Sequence, residues 1–254
     1  MTLLAVERIK LFSTRSPWWC MALALGLTVG FTAIIAANSN FEFPLTVQAT
    51  QFTHTFGLYV IMVMAALAIT TEYRFGTIKS TFQAVPDRIS PLLAKTVVVA
   101  VLAGVVGEIT AFASWGLAKL VQPDMNLALE SANDWRHVTG VGLVYATGAV
   151  LALGVGLLVR QTAAAVAIIL VFPLLVESLV GFIPKIGADI QKWLPFQSAS
   201  HFVLGNPDST GRPVEAGPPQ LDFPLSPWGS LAYFAGIAVA MLVVALIVTK
   251  RRDA

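Results

Sequence analysis

Apolar residues in this chain come in long continuous runs, not in alternation and not at helical spacing. Six runs are long enough to cross a bilayer core, which takes about 20 residues of helix. They are Pro17 to Ala37, Phe52 to Thr71, Pro91 to Leu117, Val138 to Val159, Thr162 to Ile183 and Trp228 to Thr249. Continuous runs predict helices. Barrel strands would alternate with period two. The fourth and fifth runs are separated only by Arg160-Gln161, which predicts a tight helical hairpin. The first run has an apolar core longer than that of a signal peptide and follows a basic extension, so it reads as an uncleaved span.

Amphipathic patterning appears only between the runs. At 100° per residue, Phe75, Ile78, Phe82 and Val85 fall on one third of the circumference, while Glu72, Tyr73, Gly76, Thr77, Ser80 and Gln83 fall opposite. A helix over 72–88 is expected, its apolar stripe against the membrane-helix ends and its polar face in solvent. Pro86 stops it, and Asp87-Arg88 lead into the third span. Over 1–16, Ala5, Ile9 and Phe12 share a face opposite Glu7, Lys10 and Thr14, which predicts an interfacial helix with Trp18-Trp19 at the membrane boundary. In the connection 184–227, Ile186, Ile190 and Trp193 share a helical face, and Ala199 to Leu204 is again apolar. One or two short helices are expected there. A Pro- and Gly-rich cap runs from Gly205 to Pro227.

Composition agrees with the runs. Of 254 residues, 56% are hydrophobic and only 12% charged, against about 25% charged in a soluble domain; mean hydropathy is +0.76. The chain reads as a single all-α polytopic membrane domain over residues 1–254. The net charge of +2 points to no nucleic acid, because the basic residues are anchors at the membrane surface. Eleven of the 16 lie on one side: Arg8, Lys10, Arg15, Arg74, Lys79, Arg88, Lys95, Arg160, Lys250, Arg251 and Arg252. Lys119, Arg136, Lys185, Lys192 and Arg212 lie on the other, with most of the loop carboxylates. The asymmetry predicts both termini in the cytoplasm. The lone Cys20 allows neither an intrachain disulfide nor a cysteine-based metal site.

Chemistry-bearing residues are few. Glu108 and Glu177 lie within apolar spans, where charge is costly. Each is either hydrogen-bonded inside the bundle or lines a substrate path. His54, His137 and His201 fall on separate segments and predict no metal site. There is no phosphate loop, no Gly-x-Ser-x-Gly elbow and no His-Glu-x-x-His pair.

With its amphipathic start, six spans, the Glu72-x-x-x-Gly76-Thr77…Pro86-x-Arg88 segment and helices before span six, the chain resembles type-2 ABC transporter permeases. The topological likeness covers nearly the whole chain; the motif is confined to 72–88. The resemblance implies a coupling helix seated on a cytoplasmic ATPase subunit, with Glu72, Tyr73, Arg74, Gly76, Thr77, Ser80, Pro86 and Arg88 toward that partner and Phe75, Ile78, Phe82 and Val85 packed on the membrane domain. It implies export across a bacterial plasma membrane by a pair of permease chains, a homodimer or two similar subunits. ATP and Mg would be bound by the partner, and this chain would hold no cofactor and be no enzyme by itself. The competing readings are a proton-coupled secondary transporter using Glu108 and Glu177, and a non-transporting membrane subunit or intramembrane enzyme.

Overall fold

A computed structural model describes residues 3–40, 44–85, 87, 89–205 and 223–252. The described residues are helical, with six helices long and apolar enough to span a membrane: the protein is an all-α polytopic membrane protein. In chain order they are α1 (Leu3–Phe12), α2 (Ser16–Ala37), a 3-10 turn (Gln48–Gln51), α3 (His54–Arg74), α4 (Thr77–Ala84), α5 (Ile89–Val121) and α6 (Ala132–Val159). Then follow α7 (Thr162–Val171), a π-helical turn (Phe172–Val176), α8 (Glu177–Val180), α9 (Gly187–Gln191), α10 (Pro195–Leu204) and α11 (Pro227–Arg252).

Side-chain size decides which helix sits in the middle. α6 packs against α3, α5, α7, α10 and α11 and is buried on nearly all faces. Its glycines permit this. A methyl group added at Gly140 would lie 2.8 Å from the Phe202 ring on α10, one at Gly154 2.9 Å from Met241 on α11, and one at Gly156 2.7 Å from Ile69 on α3. From the facing helix, a methyl on Gly107 of α5 would meet the Gly142 Cα at 2.9 Å. In lipid there is no hydrophobic drive between helices, so close backbone approach of this kind is what joins them. The outer helices bury only narrow stripes. On α2 these are Ala24, Thr28, Thr32 and Ala36; on α11 they are Ser230, Phe234, Ala238, Leu242 and Ala245. Their remaining faces are apolar and exposed, as lipid contact requires. Leu23, Phe31 and Ile34 on α2, Val97, Val101 and Val105 on α5, and Val239, Val243 and Ile247 on α11 all point outward.

The fifth run is not one regular helix. Pro173 lacks an N–H and its ring crowds the preceding turn; the chain responds with the π-helical turn between α7 and α8. The hairpin before it is as tight as its sequence predicts, with Arg160 alone taking the turn in a left-handed conformation (φ 58°).

Two faces differ from the patterned expectation. Gly76, at φ 72°, ends α3 and starts α4. Its N–H bonds to Tyr73 O and the Phe75 N–H to Thr71 O. A single wheel over 72–88 therefore does not apply: Glu72, Tyr73 and Arg74 form the last turn of α3, and Phe75 is 71% exposed instead of packed. Ile78 is buried, Phe82 packs against the core and Val85 is half-buried. Pro86 and Arg88 lie outside the described residues. On α1 two residues depart from the expected faces. Glu7 is buried and Ile9 is 54% exposed, because Glu7 has ionic partners in the bundle. Of the 184–227 connection, α9 and α10 are the expected helices; most of the Pro-rich cap lies outside the described residues.

Candidate functional site

Two polar constellations stand out, one at each end of the bundle. At the basic end, four charges from three helices form one cluster. Lys95, near the start of α5, is 6% exposed. Its Nζ donates to Glu7 Oε2 of α1 at 2.5 Å and to Glu72 Oε1 of α3 at 3.0 Å. Lys10 Nζ donates to Glu7 Oε1 at 2.8 Å and stands 3.6 Å from Glu72 Oε1. It also donates to Thr81 Oγ1 of α4 at 3.1 Å. Alternating signs around the ring let each buried charge face an opposite one, the condition under which buried ions are tolerated. α1, α3, α4 and α5 thereby share one set of contacts.

Burial would push the Glu7 carboxyl up, but Lys95 and Lys10 together outweigh it and hold Glu7 below its ordinary value of 4.5. For Lys10, burial pulls the ammonium down, and Glu7 and Glu72 more than reverse this, leaving it above its ordinary 10.5. A depressed carboxylate stabilises fully above its ordinary value and loses that contribution as pH falls through the folded one. A raised ammonium stabilises fully below its ordinary value and loses it as pH rises through the folded one. Amide hydrogen exchange in 3–12, corrected for intrinsic rates, should therefore stay slow between about pH 5 and 9 and accelerate below about pH 4. Steady protection down to full carboxylate protonation would show that the cluster does not hold α1.

α4 lies beside this cluster. Its polar face carries Thr77, Lys79, Ser80 and Gln83, all exposed, while Ser80 Oγ and Thr77 Oγ1 bond back to main-chain carbonyls, of Thr77 at 2.7 Å and Glu72 at 3.5 Å. No atom lies within 4 Å of a methyl built on Gly76, so the left-handed conformation, and not crowding, is what asks for glycine there. After α4, Asp87 accepts from Ile89 N at 3.1 Å and from the Ser90 hydroxyl and so caps α5. The Ser90 and Ile89 bonds lower its carboxyl, and Lys250 adds to the shift. Of the eight residues expected to face a partner, Arg74, Gly76, Thr77 and Ser80 lie exposed. Glu72 is drawn into the ion cluster. Tyr73 lies under the Arg160 guanidinium, 4.9 Å from its ring centroid, and Arg74 stacks on Phe75 at 5.5 Å.

The opposite end is closed by α10, whose two ends are both held by side chains from elsewhere. A helix begins with unpaired N–H groups and ends with unpaired carbonyls. Leu194 at the N-cap has nothing to offer, and Glu177 of α8 takes the role. Its Oε1 accepts from Phe196 N and its Oε2 from Gln197 N, both at 3.0 Å. At the C-terminal end Arg136 donates to Phe202 O at 3.1 Å and to Gly205 O at 2.5 Å. His137 pairs with Val203 O and Gln48 donates to Leu204 O. The signs suit the helix dipole, a carboxylate at the N-terminus and a guanidinium at the C-terminus. His201 bonds Ser230 of α11 at 2.9 Å and stacks on Phe223 at 4.0 Å; burial, then Arg136, lowers its imidazole.

Glu177 and Glu108 have different neighbours. Glu177 is fully buried at the α10 terminus. Glu108 is half-buried on α5, its side chain against the bare backbone of Gly142 on α6. His54 is buried in the bundle, its Nδ1 2.8 Å from Gln51 O, and meets neither of the other two histidines among these bonds. Among the described residues no three His, Cys, Asp or Glu side chains are placed to hold a metal ion. Glu7, Lys10 and Lys95 on the one side, and Arg136, His137 and Gln48 on the other, are the residues that patterning alone passes over. In comparisons with known proteins, no family model matches the chain and no curated protein matches it.

Proposed function

We propose that this chain is the membrane-spanning permease subunit of an ATP-driven transporter, with α4 as the helix that receives force from a separate cytoplasmic ATPase subunit. One observation carries the reading. α4 is a short helix with an apolar anchor, Ile78 and Phe82, and an exposed polar face. It sits at the turn between two spans and is tied through Lys10 and Thr81 to the cluster that joins α1, α3 and α5. A displacement of α4 would be passed to two spans at once. ATP and Mg would be held by the partner, since no phosphate loop occurs in this sequence. A second permease chain would complete the path, and the wide exposed apolar faces of α2 and α7 are suited to meet either it or lipid. α4 then faces the cytoplasm, both termini lie there, and the bilayer is a bacterial plasma membrane. Export is the direction the family resemblance suggests.

Substitution on the outward face tests this without touching the packing. Ser80→Trp and Lys79→Glu are expected to lower ATP hydrolysis by the reconstituted transporter roughly tenfold, an interface loss of about 1.4 kcal/mol, with helical content and membrane insertion unchanged. Glu72→Lys would not serve, because it places a third cation in the ion cluster. Full hydrolysis and transport in both variants would reduce α4 to a tether.

A further inference from the structure

The 3-10 turn packs on α5 at the end of the bundle away from the ion cluster. Gln51 of that turn, His54 in the first turn of α3 and Ser114 of α5 are each no more than 1% exposed. Among the described residues, Gln51 Oε1, His54 Nε2 and Ser114 Oγ have no hydrogen-bond partner. We propose that ordered water fills this part of the bundle, donating to Gln51 Oε1 and His54 Nε2 and accepting from the Ser114 hydroxyl. The inference does not rest on the transport reading.

The bonds these residues do make fix which atoms are left over. Gln51 Nε2 donates to Thr50 Oγ1 at 2.9 Å and to Ala111 O of α5 at 3.2 Å. A carbonyl oxygen only accepts, so the amide nitrogen must face Ala111, and Oε1 is the atom without a donor. His54 Nδ1 stands 2.8 Å from Gln51 O. In the neutral imidazole that acceptor places the proton on Nδ1 and leaves Nε2 as an acceptor. Two of the leftover atoms therefore accept, and the third, a hydroxyl, both gives and takes. They share one locality: Ser114 lies one turn along α5 from Ala111, to which Gln51 is bonded, and the His54 ring is held to the Gln51 main chain. Ser114 could donate to either acceptor, yet it bonds neither. Neighbouring hydroxyls are engaged, Tyr145 with His54 O at 2.7 Å and Thr53 with Thr32 at 2.8 Å. Lipid offers no hydrogen bonds, so the gap must be met from within the protein. A molecule that donates twice and accepts once meets it, and about three bonds is the usual complement of a buried water. A hard cation would find three neutral ligands and no carboxylate among them, a poor set for it.

Solid-state NMR of the full, isotope-labelled chain in lipid bilayers tests the proposal, with His54 assigned through its sequence neighbours Thr53 and Thr55. Nε2 is expected to carry no proton and to resonate upfield of a free imidazole nitrogen, as a hydrogen-bonded acceptor does. Magnetisation transfer from water to the His54 ring protons is expected in ordinary water and should vanish in heavy water. Ser114→Ala removes one of the three partners and leaves both acceptors in place, so the Nε2 bond and the transfer should persist. A free Nε2, or a ring that receives nothing from water in the folded chain, overturns the proposal. So does an Nε2 bond that disappears in Ser114→Ala, because the hydroxyl itself would then be the donor. A signal lost when choline replaces sodium and potassium also overturns it, because a cation would then be the occupant. Should Ser114→Ala fail to fold, the native-chain signals and the cation exchange decide alone.

Discussion

Glu177→Leu is expected to be the most damaging single change at the far end of the bundle. The substitution keeps the volume roughly constant but leaves the Phe196 and Gln197 N–H groups without an acceptor, the first of them buried. Each such group costs about 1–3 kcal/mol, so a loss of about 2–5 kcal/mol is expected, with α10 released from the bundle. Glu177→Gln retains one carbonyl oxygen and should cost less, about 1–2 kcal/mol. Thermal unfolding of the two variants, with hydrogen exchange across 195–204, separates them. If Glu177 served as a proton carrier and not as a helix cap, the order would invert: Gln would abolish activity with α10 still protected, and Leu would leave the fold intact.

The second large effect is expected at Lys95. Lys95→Met leaves Glu7, 3% exposed, and Glu72, 12% exposed, facing each other with only the half-exposed Lys10 between them. Breaking a buried pair by removing one partner costs about 3–5 kcal/mol. Here the lower part of that range applies, because Lys10 remains. The first consequence should be detachment of α1, read as proteolysis within 3–12. Adding Glu7→Gln to Lys95→Met should recover part of the loss, since the orphaned charge goes with it. A double-mutant cycle gives the coupling directly. Additive losses would mean that the two side chains do not act on each other.

These two sites mark where sequence reading succeeds and where it stops. The six spans were legible because lipid demands continuous apolar runs, and helix ends differ from the reading by a few residues. Within the fifth run, Pro173 is accommodated by a π-helical turn rather than a break in the span. The amphipathic wheels failed where a local event resets the phase. Gly76 in the left-handed region separates Glu72 and Phe75 from Ile78 and Phe82, so residues drawn on one wheel belong to two helices. On α1 the wheel placed Glu7 in solvent, and the buried Lys95, 88 residues away, reverses that. Such a pairing leaves no trace in local hydrophobicity. The clamp on α10 was hidden for the same reason. Arg136 reaches carbonyls 66 and 69 residues away, and a carbonyl acceptor has no side-chain signature. One signal was available. Leu194-Pro195 opens a helix whose N-cap cannot accept a hydrogen bond, so an acceptor had to come from elsewhere, and Glu177 was an unexplained buried carboxylate.

What meets the outward face of α4 decides the proposed function. Site-specific photo-crosslinking from Ser80 and Gln83, carried out in native membranes, asks this directly. An adduct with an ATP-hydrolysing protein is expected from both positions, formed on the same membrane side as the termini and lost when Gly76→Trp displaces the helix. Absence of any ATPase adduct from either position, in membranes where the chain is inserted and active, would contradict it.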